Sequence, residues 1–314
     1  MSLKQLAFGV ATHIPGVYEL FRRRDTGGTC SARYCYGVWL RHLMMAQHYG
    51  YRGIPRIVAE LGPGDSLGTG LAALLSGSER YVAFDVVKYA AREENLRIFD
   101  ELVALFDARA PIPDPAEFPE VVPPLPDYEF PASLLTEEHL SVALAPERIA
   151  RLREAVMQAS DQDGPISYVV PWWNPSVMSP RSVDMIFSQA VLEHIDDLDR
   201  TYAAMRTWLK DDGIATHSLD YRSHNLTRRW NGHWGYSELK WKLLRGKRTY
   251  LINRQPHSAH VAMMRRHGFE VRYEWRGTAP DGLRRHQLAA PFREMSDEDL
   301  ITAKGFVVTG VARH

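Results

Sequence analysis

The chain has 314 residues and sets 38 Lys and Arg against 38 Asp and Glu, with 13 His besides. With 45% hydrophobic and 24% charged residues it can bury a sizeable core, which excludes global disorder, and its length suits one decorated domain. A net charge of zero argues against coating of nucleic acid by bulk electrostatics, and two cysteines, Cys30 and Cys35, exclude a disulfide framework.

The first residues, MSLKQLAFGVATHIPG, lack a signal-peptide pattern, and no apolar run reaches about 18 residues, so a soluble cytoplasmic protein without a membrane span is expected. In chain order, Arg56–Leu61 is a short apolar run ending in glycines, the pattern of a buried strand. Ser66–Leu75 reads as a helix and Arg80–Asp85 as a second strand. Lys88–Phe106 repeats apolar residues at Leu96, Phe99, Leu102 and Phe106, an amphipathic helix. Pro111–Pro131 holds eight of the nineteen prolines, so it can be neither helix nor central strand and is expected as a stiff connector or insertion.

Pro146–Gln158 is a helix with Pro in its first turn. Ile166–Val170 and Val183–Phe187 are strands three and four. Asp196–Lys210 is helical and is expected to stop at Gly213, before strand five at Ile214–Ser218. His257–His267 is a helix, Phe269–Arg276 strand six and Gly305–Ala312 the last strand. This alternation predicts a mostly parallel sheet with helices on both faces. The charge is uneven along it. Tyr221–His286 carries fifteen Lys and Arg against four acids, together with four of the eight Trp.

Glu60–Gly70 (ELGPGDSLGTG) ends one strand and opens one helix. Gly62 and Gly64 allow a tight turn and close backbone approach to a ligand, with helix N-terminal amides facing it. Asp85, ending the next strand 21 residues after Gly64, suits a carboxylate that binds ribose hydroxyls. A nicotinamide site would want G-x-G-x-x-G, but Leu67 stands three after Gly64, and no P-loop occurs.

These residues resemble the class I S-adenosylmethionine-dependent methyltransferases. VAELGPGDSLG is similar to their first motif and YVAFD, ending at Asp85, to their second. SVDMIFSQAVLEHIDD (Ser182–Asp197) and LKDDGIATHSLD (Leu209–Asp220) are similar to the family's fourth-strand and fifth-strand regions. One departure is Ser66, where the family usually has a third glycine. The likeness covers about Tyr51–Asp107 and Ile166–Asp220, and it implies a Rossmann-like α/β fold with a mostly parallel seven-stranded sheet. Residues 1–50 are then an N-terminal helical cap and 51–314 the methyltransferase domain. Within that domain, 108–165 is an insertion and 221–286 a basic, aromatic acceptor region. The resemblance also implies S-adenosylmethionine as cofactor, leaving as S-adenosylhomocysteine, held by Glu60, Gly62, Pro63, Gly64, Asp85, Val86, Ser188 and Gln189. Tyr34, on the capping helix, is expected to reach the cofactor carboxylate.

Methyl transfer needs an aligned nucleophile, often with a base. His217 and Asp220 are the first candidates, followed by His194 and His224, all after the carboxyl ends of adjacent strands. Glu193 with His217, Asp220 and His224 offers donors for a divalent ion. Without a dense carboxylate triad, H-E-x-x-H or a cysteine set, no metal is expected.

The stretch from His217 to Val271 resembles, more narrowly, methyltransferases of bacterial glycan and surface-polysaccharide pathways. This implies a sugar or glycan-linked acceptor, anionic groups included, with Trp230, Trp234, Asn253 and Arg254 as acceptor-binding residues. Competing readings are a small-molecule O- or N-methyltransferase of natural-product chemistry, an RNA methyltransferase and a non-catalytic cofactor-binding subunit. Strand four ends in FSQAV rather than the N/D-P-P-Y box of amino-methylating nucleic-acid enzymes, which argues against a nucleic-acid substrate. The oligomeric state is not legible.

Overall fold

A computed structural model describes residues 3–14, 28–87, 90–159, 164–172, 174–248 and 251–312. Two helices, α1 (Leu3–Ala11) and α2 (Ala32–His48), precede β1 (Ile57–Leu61), α3 (Gly68–Leu75), β2 (Arg80–Phe84) and α4 (Arg92–Asp107). Next come α5 (Glu137–Ala143), α6 (Pro146–Gln158), β3 (Ile166–Val169), β4 (Val183–Gln189), α7 (Leu198–Trp208) and β5 (Leu209–Asp220). The chain finishes with α8 (Glu238–Arg245), α9 (His257–Arg266), β6 (Phe269–Thr278), α10 (Asp297–Ile301) and β7 (Thr302–Val311).

The seven strands form one sheet in the order β3-β2-β1-β4-β5-β7-β6. The first five run parallel, while β7 is antiparallel to both β5 and β6. Strand residues alternate between two cores, as a period of two requires. Tyr81, Met185, Phe187 and Phe306 face one core with α2, α3 and α4. Phe84, Ile186, Ala215 and Val307 face the other with α7 and α9. Both faces of the central strands are covered, so β1, β2 and β4 are almost wholly buried, whereas the edge strand β6 alternates apolar with charged residues and stays partly exposed. A small third cluster, Leu226, Trp241, Leu244 and Ile252, sits around α8. Among the described residues, no helix is long and apolar enough to cross a membrane.

Two boundaries differ from the sequence expectation. Helix α7 stops at Trp208, and β5 already begins at Leu209, so Gly213 lies inside a strand and ends no helix. Trp208 is fully buried and stacks on Phe84 at 4.6 Å, while the Thr207 and Trp208 carbonyls accept from Arg181 and Ser182 N–H. Those bonds draw the helix end onto the start of β4 inside the sheet, where Leu209 pairs with Val183. Strand β7 begins at Thr302, before Gly305, because its first residues pair with the end of β6. Of the helix expected over 88–106, Lys88 lies outside the described residues and α4 starts at Arg92.

Residues 111–131 form neither helix nor strand. Their carbonyls, which no ladder satisfies, are met from α2. Arg41 is 2% exposed and donates to the Pro123 carbonyl at 2.9 Å and the Pro113 carbonyl at 3.3 Å. Arg33 donates to the Pro111 carbonyl at 2.6 Å and pairs with Glu117. A guanidinium with five donors in a fixed fork suits this task, since proline-rich backbone offers acceptors and few donors.

Close approach also fixes Gly70 in α3. A Cβ there would fall 2.0 Å from the Tyr81 ring. Gly to Ala in a helix interior normally gains about 1 kcal/mol, but overpacking a rigid ring costs about 1–3 kcal/mol. Gly70→Ala is therefore expected to lower the urea midpoint at an unchanged m-value; a raised midpoint would show that the ring yields.

Candidate active site

Strand β1 runs directly into the glycine turn. Gly62 and Gly64 have φ of 65° and 75°, in the left-handed region that favours glycine. A side chain at Gly62 would also meet Val191 at 2.6 Å, so β1 and the segment after β4 approach closely here. Ser66, in place of the usual third glycine, donates its N–H to Thr29 Oγ1 at 3.1 Å, and its hydroxyl accepts from Gly68 N–H at 3.0 Å. The departure thus tethers the turn to the segment before α2 and supports the start of α3. Asn95 accepts the Leu67 N–H at 2.9 Å, closing the turn from α4.

Two carboxyls flank the turn. Glu60 is 2% exposed and accepts from the Tyr81 hydroxyl. Burial pushes its pKa up to about 8, against the lowering effect of that hydrogen bond. Asp85, at the carboxyl end of β2, accepts from Val86 N–H at 2.7 Å and Val87 N–H at 3.4 Å. Burial raises it to about 6, opposed by these amides and that of Gly64. Pro63, between the two glycines, is buried.

At the end of β4, Ser188 is fully buried and its hydroxyl meets His217 Nδ1 at 2.8 Å. Gln189 Oε1 lies 3.2 Å from His42 Nε2, and its side chain also hydrogen-bonds Tyr34. The Tyr34 backbone N–H is capped by Ser31 Oγ at 3.2 Å, and its ring meets Phe118 edge-on at 5.4 Å. A cavity of about 590 Å³ opens here, lined by Tyr34, Phe118, Cys30, Val121 and Glu120 among others. Glu120 pairs with Lys304 at 2.6 Å and with Arg222 at 2.6 Å, and Arg222 also grips Asp220 at 2.5 Å. Burial works to raise Asp220, but the Arg222 hydrogen bonds outweigh it and hold the carboxyl below its usual value.

Beside Asp220, the turn Leu192–His194 is strapped by Asn253, whose Nδ2 donates to the Leu192 and Ile195 carbonyls at 2.8 and 2.9 Å. Glu193 Oε1 accepts the Asp220 N–H at 3.0 Å. His194 and His224 bring their rings to 4.8 Å of each other.

The remaining expected residues lie elsewhere. His217 and Asp220 stand three apart on β5 and so point to opposite faces. The expected His217–Asp220 pair does not form: His217 is 0% exposed, bonded to Ser188, and pushed down to about 3 by burial. Trp234 is 0% exposed and donates to the Arg254 carbonyl at 2.9 Å, while Trp230 donates to the Ala279 carbonyl at 3.0 Å. Arg254 is 5% exposed, stacks at 4.8 Å over both Trp241 and Phe292, and pairs with Glu238. Trp234 and Arg254 therefore offer no open face for stacking on an acceptor, because packing around α8 uses them; Asn253 positions a turn.

Sequence reasoning passed over Thr29, Asn95 and His42. His42 is 1% exposed, joins Thr216 Oγ1 at 2.8 Å to Gln189, and is pushed down to about 3 by burial. Only its place as a polar residue on an apolar helix face could have marked it.

The raised Glu60 gives a pH signature. Its folded value of about 8 exceeds the ordinary 4.5, so its contribution to stability is complete below about pH 4.5 and is lost as pH rises through about 8. The ligand-free protein should lose stability across that window, and Glu60→Gln should flatten the loss in thermal unfolding scans. An unchanged slope would mean that Glu60 titrates normally.

Residues 132–216 match the family model described as a methyltransferase domain. No curated protein matches the sequence. Among solved structures, the chain is similar to an S-adenosylmethionine-dependent methyltransferase of Methanosarcina mazei, with TM-score 0.44, 11% identity, and 85% of this chain and 97% of that chain covered. It is also similar to one of Mesorhizobium loti, with TM-score 0.41, 13% identity, and 85% of this chain and 95% of that chain covered. A third likeness is to Haemonchus contortus phosphoethanolamine N-methyltransferase 2, with TM-score 0.42, 13% identity and 88% of this chain covered. This chain spans 53% of that enzyme's length. The matched segment runs from the residues before α5 through β3, β4 and α7 into β5, so the likeness to a methyltransferase domain lies in the central part of the chain.

Proposed function

We propose that this chain is a methyltransferase that uses S-adenosylmethionine to methylate a hydroxyl of a sugar or glycan-linked acceptor, leaving S-adenosylhomocysteine. The observation that carries the reading is the positive-φ Gly62–Gly64 turn beside Asp85, at the carboxyl ends of neighbouring strands β1 and β2. This is the crevice where open α/β sheets bind nucleoside-containing ligands. The residues fit the cofactor: a side chain at Gly62 would collide with Val191, one at Gly64 would be strained by its positive φ, and Asp85 would be an acceptor for ribose hydroxyls. Pro63 and Glu60 fix the turn, Val86 follows Asp85 at the adenosine end, and Ser188 and Gln189 line the edge through their backbone.

The cofactor supplies an electrophilic methyl group. Tyr34, held by Gln189, orients its methionine end. The acceptor enters by the cavity of Tyr34 and Phe118, where aromatic faces suit a sugar ring and the Arg222–Glu120–Lys304 charges suit hydroxyls or an anionic substituent. With the donor and acceptor bound, Asp220 would accept the proton of the acceptor hydroxyl while the methyl group passes to its oxygen. Arg222 keeps that carboxylate charged and in place. His194 and His224 stand on the same edge. His217, locked behind Ser188, supports β5 instead.

S-adenosylhomocysteine at a hundred times its dissociation constant should stabilise the protein by about 2.7 kcal/mol, read as a rise in melting temperature. Asp85→Ala should weaken its binding by about tenfold or more, since a hydrogen bond to a charged group is lost. No thermal shift would remove the cofactor assignment. With labelled methyl donor, glycans should be methylated in preference to phenols and RNA. Asp220→Asn should lower kcat by about a hundredfold while leaving S-adenosylhomocysteine affinity alone; full activity in that variant would exclude Asp220 as base.

A further inference from the structure

We propose that Glu193, His194 and His224 form a binding site for one first-row transition-metal dication at the carboxyl ends of β4 and β5. One ligand atom from each of the three lies within 4.8 Å of the others. Glu193 is 2% exposed, and its Oε1 already accepts the Asp220 N–H. Its Oε2 is buried with no hydrogen-bond partner among the described residues. A buried carboxylate oxygen left alone is costly, and a cation is the partner that repays it best.

The framework around these donors is fixed. Asn253 holds both ends of the turn that carries Glu193 and His194, and the Asn253 N–H also binds the Glu193 carbonyl at 2.6 Å. His224 and Asn225 adopt φ of 45° and 64°, a conformation that non-glycine residues take rarely and that aims the His224 ring at His194. The two imidazoles are 4.8 Å apart and tilted by 55°, so they converge rather than stack face to face. Two imidazoles and one carboxylate suit zinc, iron, cobalt or manganese and not calcium or magnesium, which prefer all-oxygen shells. Bonds of about 2.1 Å require donor atoms about 3–3.5 Å apart, so the exposed His224 must close inward by a small movement. Three protein ligands leave coordination positions open, as in sites that bind a substrate oxygen. Any part in holding the acceptor hydroxyl rests on the methyl-transfer reading; metal binding itself does not.

The test is titration of the metal-stripped full-length protein with Co²⁺, followed by ligand-field absorbance, and with Zn²⁺ in competition. One saturable equivalent is expected, weakened about a hundredfold in His224→Ala and in Glu193→Gln. Gln keeps the Oε1 acceptor for Asp220 N–H. Should that variant fail to fold by circular dichroism, His224→Ala, at an exposed position, decides alone. His286→Ala and Cys30→Ser, both exposed and outside the cluster, serve as controls and should bind as the parent does. Absence of saturable binding, or equal affinity in His224→Ala, overturns the site. S-adenosylhomocysteine binding measured on the same samples separates that outcome from failure of the cofactor assignment.

Discussion

Two adjacent polar residues on one buried helix hold the crevice together. Arg41 and His42 of α2 are 2% and 1% exposed. The guanidinium turns outward to the carbonyls of 111–131, and the imidazole turns inward to Thr216 on β5 and Gln189 on β4. Neither side chain could be buried without partners, because an unsatisfied polar group in the interior costs more than its hydrogen bond returns. Each therefore fixes one neighbour of the helix. The helix places Tyr34 over the strand ends, and the proline-rich segment brings Phe118 and Glu120 to the same cavity. Roof, wall and floor of the crevice are set from a single element.

The same logic runs on the far side of the sheet. Ser188–His217 and Tyr202–His260 are buried hydrogen-bonded pairs at 2.8 and 2.9 Å. Burial holds these imidazoles neutral, with His217 and His260 each pushed down to about 3. A neutral histidine in a core is a shape-specific polar filler that fixes strand register and takes no part in proton transfer at physiological pH. The strand residues therefore divide by face. Asp220 is held by Arg222 on one face, and His217 turns into the packing against α7 and α9 on the other.

What was legible in the sequence follows from how local each signal is. The apolar runs of β1, β2 and β4, the glycine turn and Asp85 are written within a few residues, and the structure has them where the spacing places them. Thr29 on Ser66 and Asn95 on Leu67 join positions 37 and 28 residues apart, and no periodicity encodes them. Gly213 is a common stop signal and places the end of α7 too late, whereas the actual stop is Trp208 stacking on Phe84 and the pairing of Leu209 with Val183. Trp230, Trp234 and Arg254 read as an aromatic, basic recognition surface because composition gives residue type without direction. Burial turned Trp234 and Arg254 inward, and Arg254 spends its charge on Glu238 and two aromatic faces.

Direction also explains the charge asymmetry. The fifteen cations of residues 221–286 suggest a strongly basic surface, yet many are matched by acids from elsewhere in the chain. Arg222 meets Glu120, Arg245 meets Asp196, Arg266 and His267 meet Asp199, Arg276 meets Glu298, and Arg285 meets Asp297. The excess in one segment is the complement of deficits in others, so the pairs form an ionic seam that ties residues 221–286 to the proline-rich segment, to α7 and the residues before it, and to α10. Each exposed pair contributes only about 0–1 kcal/mol and is weakened by salt, so the seam selects an arrangement more than it stabilises one. Its inner end is different. Arg222, shared between Glu120 and Asp220, is only partly exposed, and there the same charge complementarity fixes the charges beside the cavity that Glu120 lines.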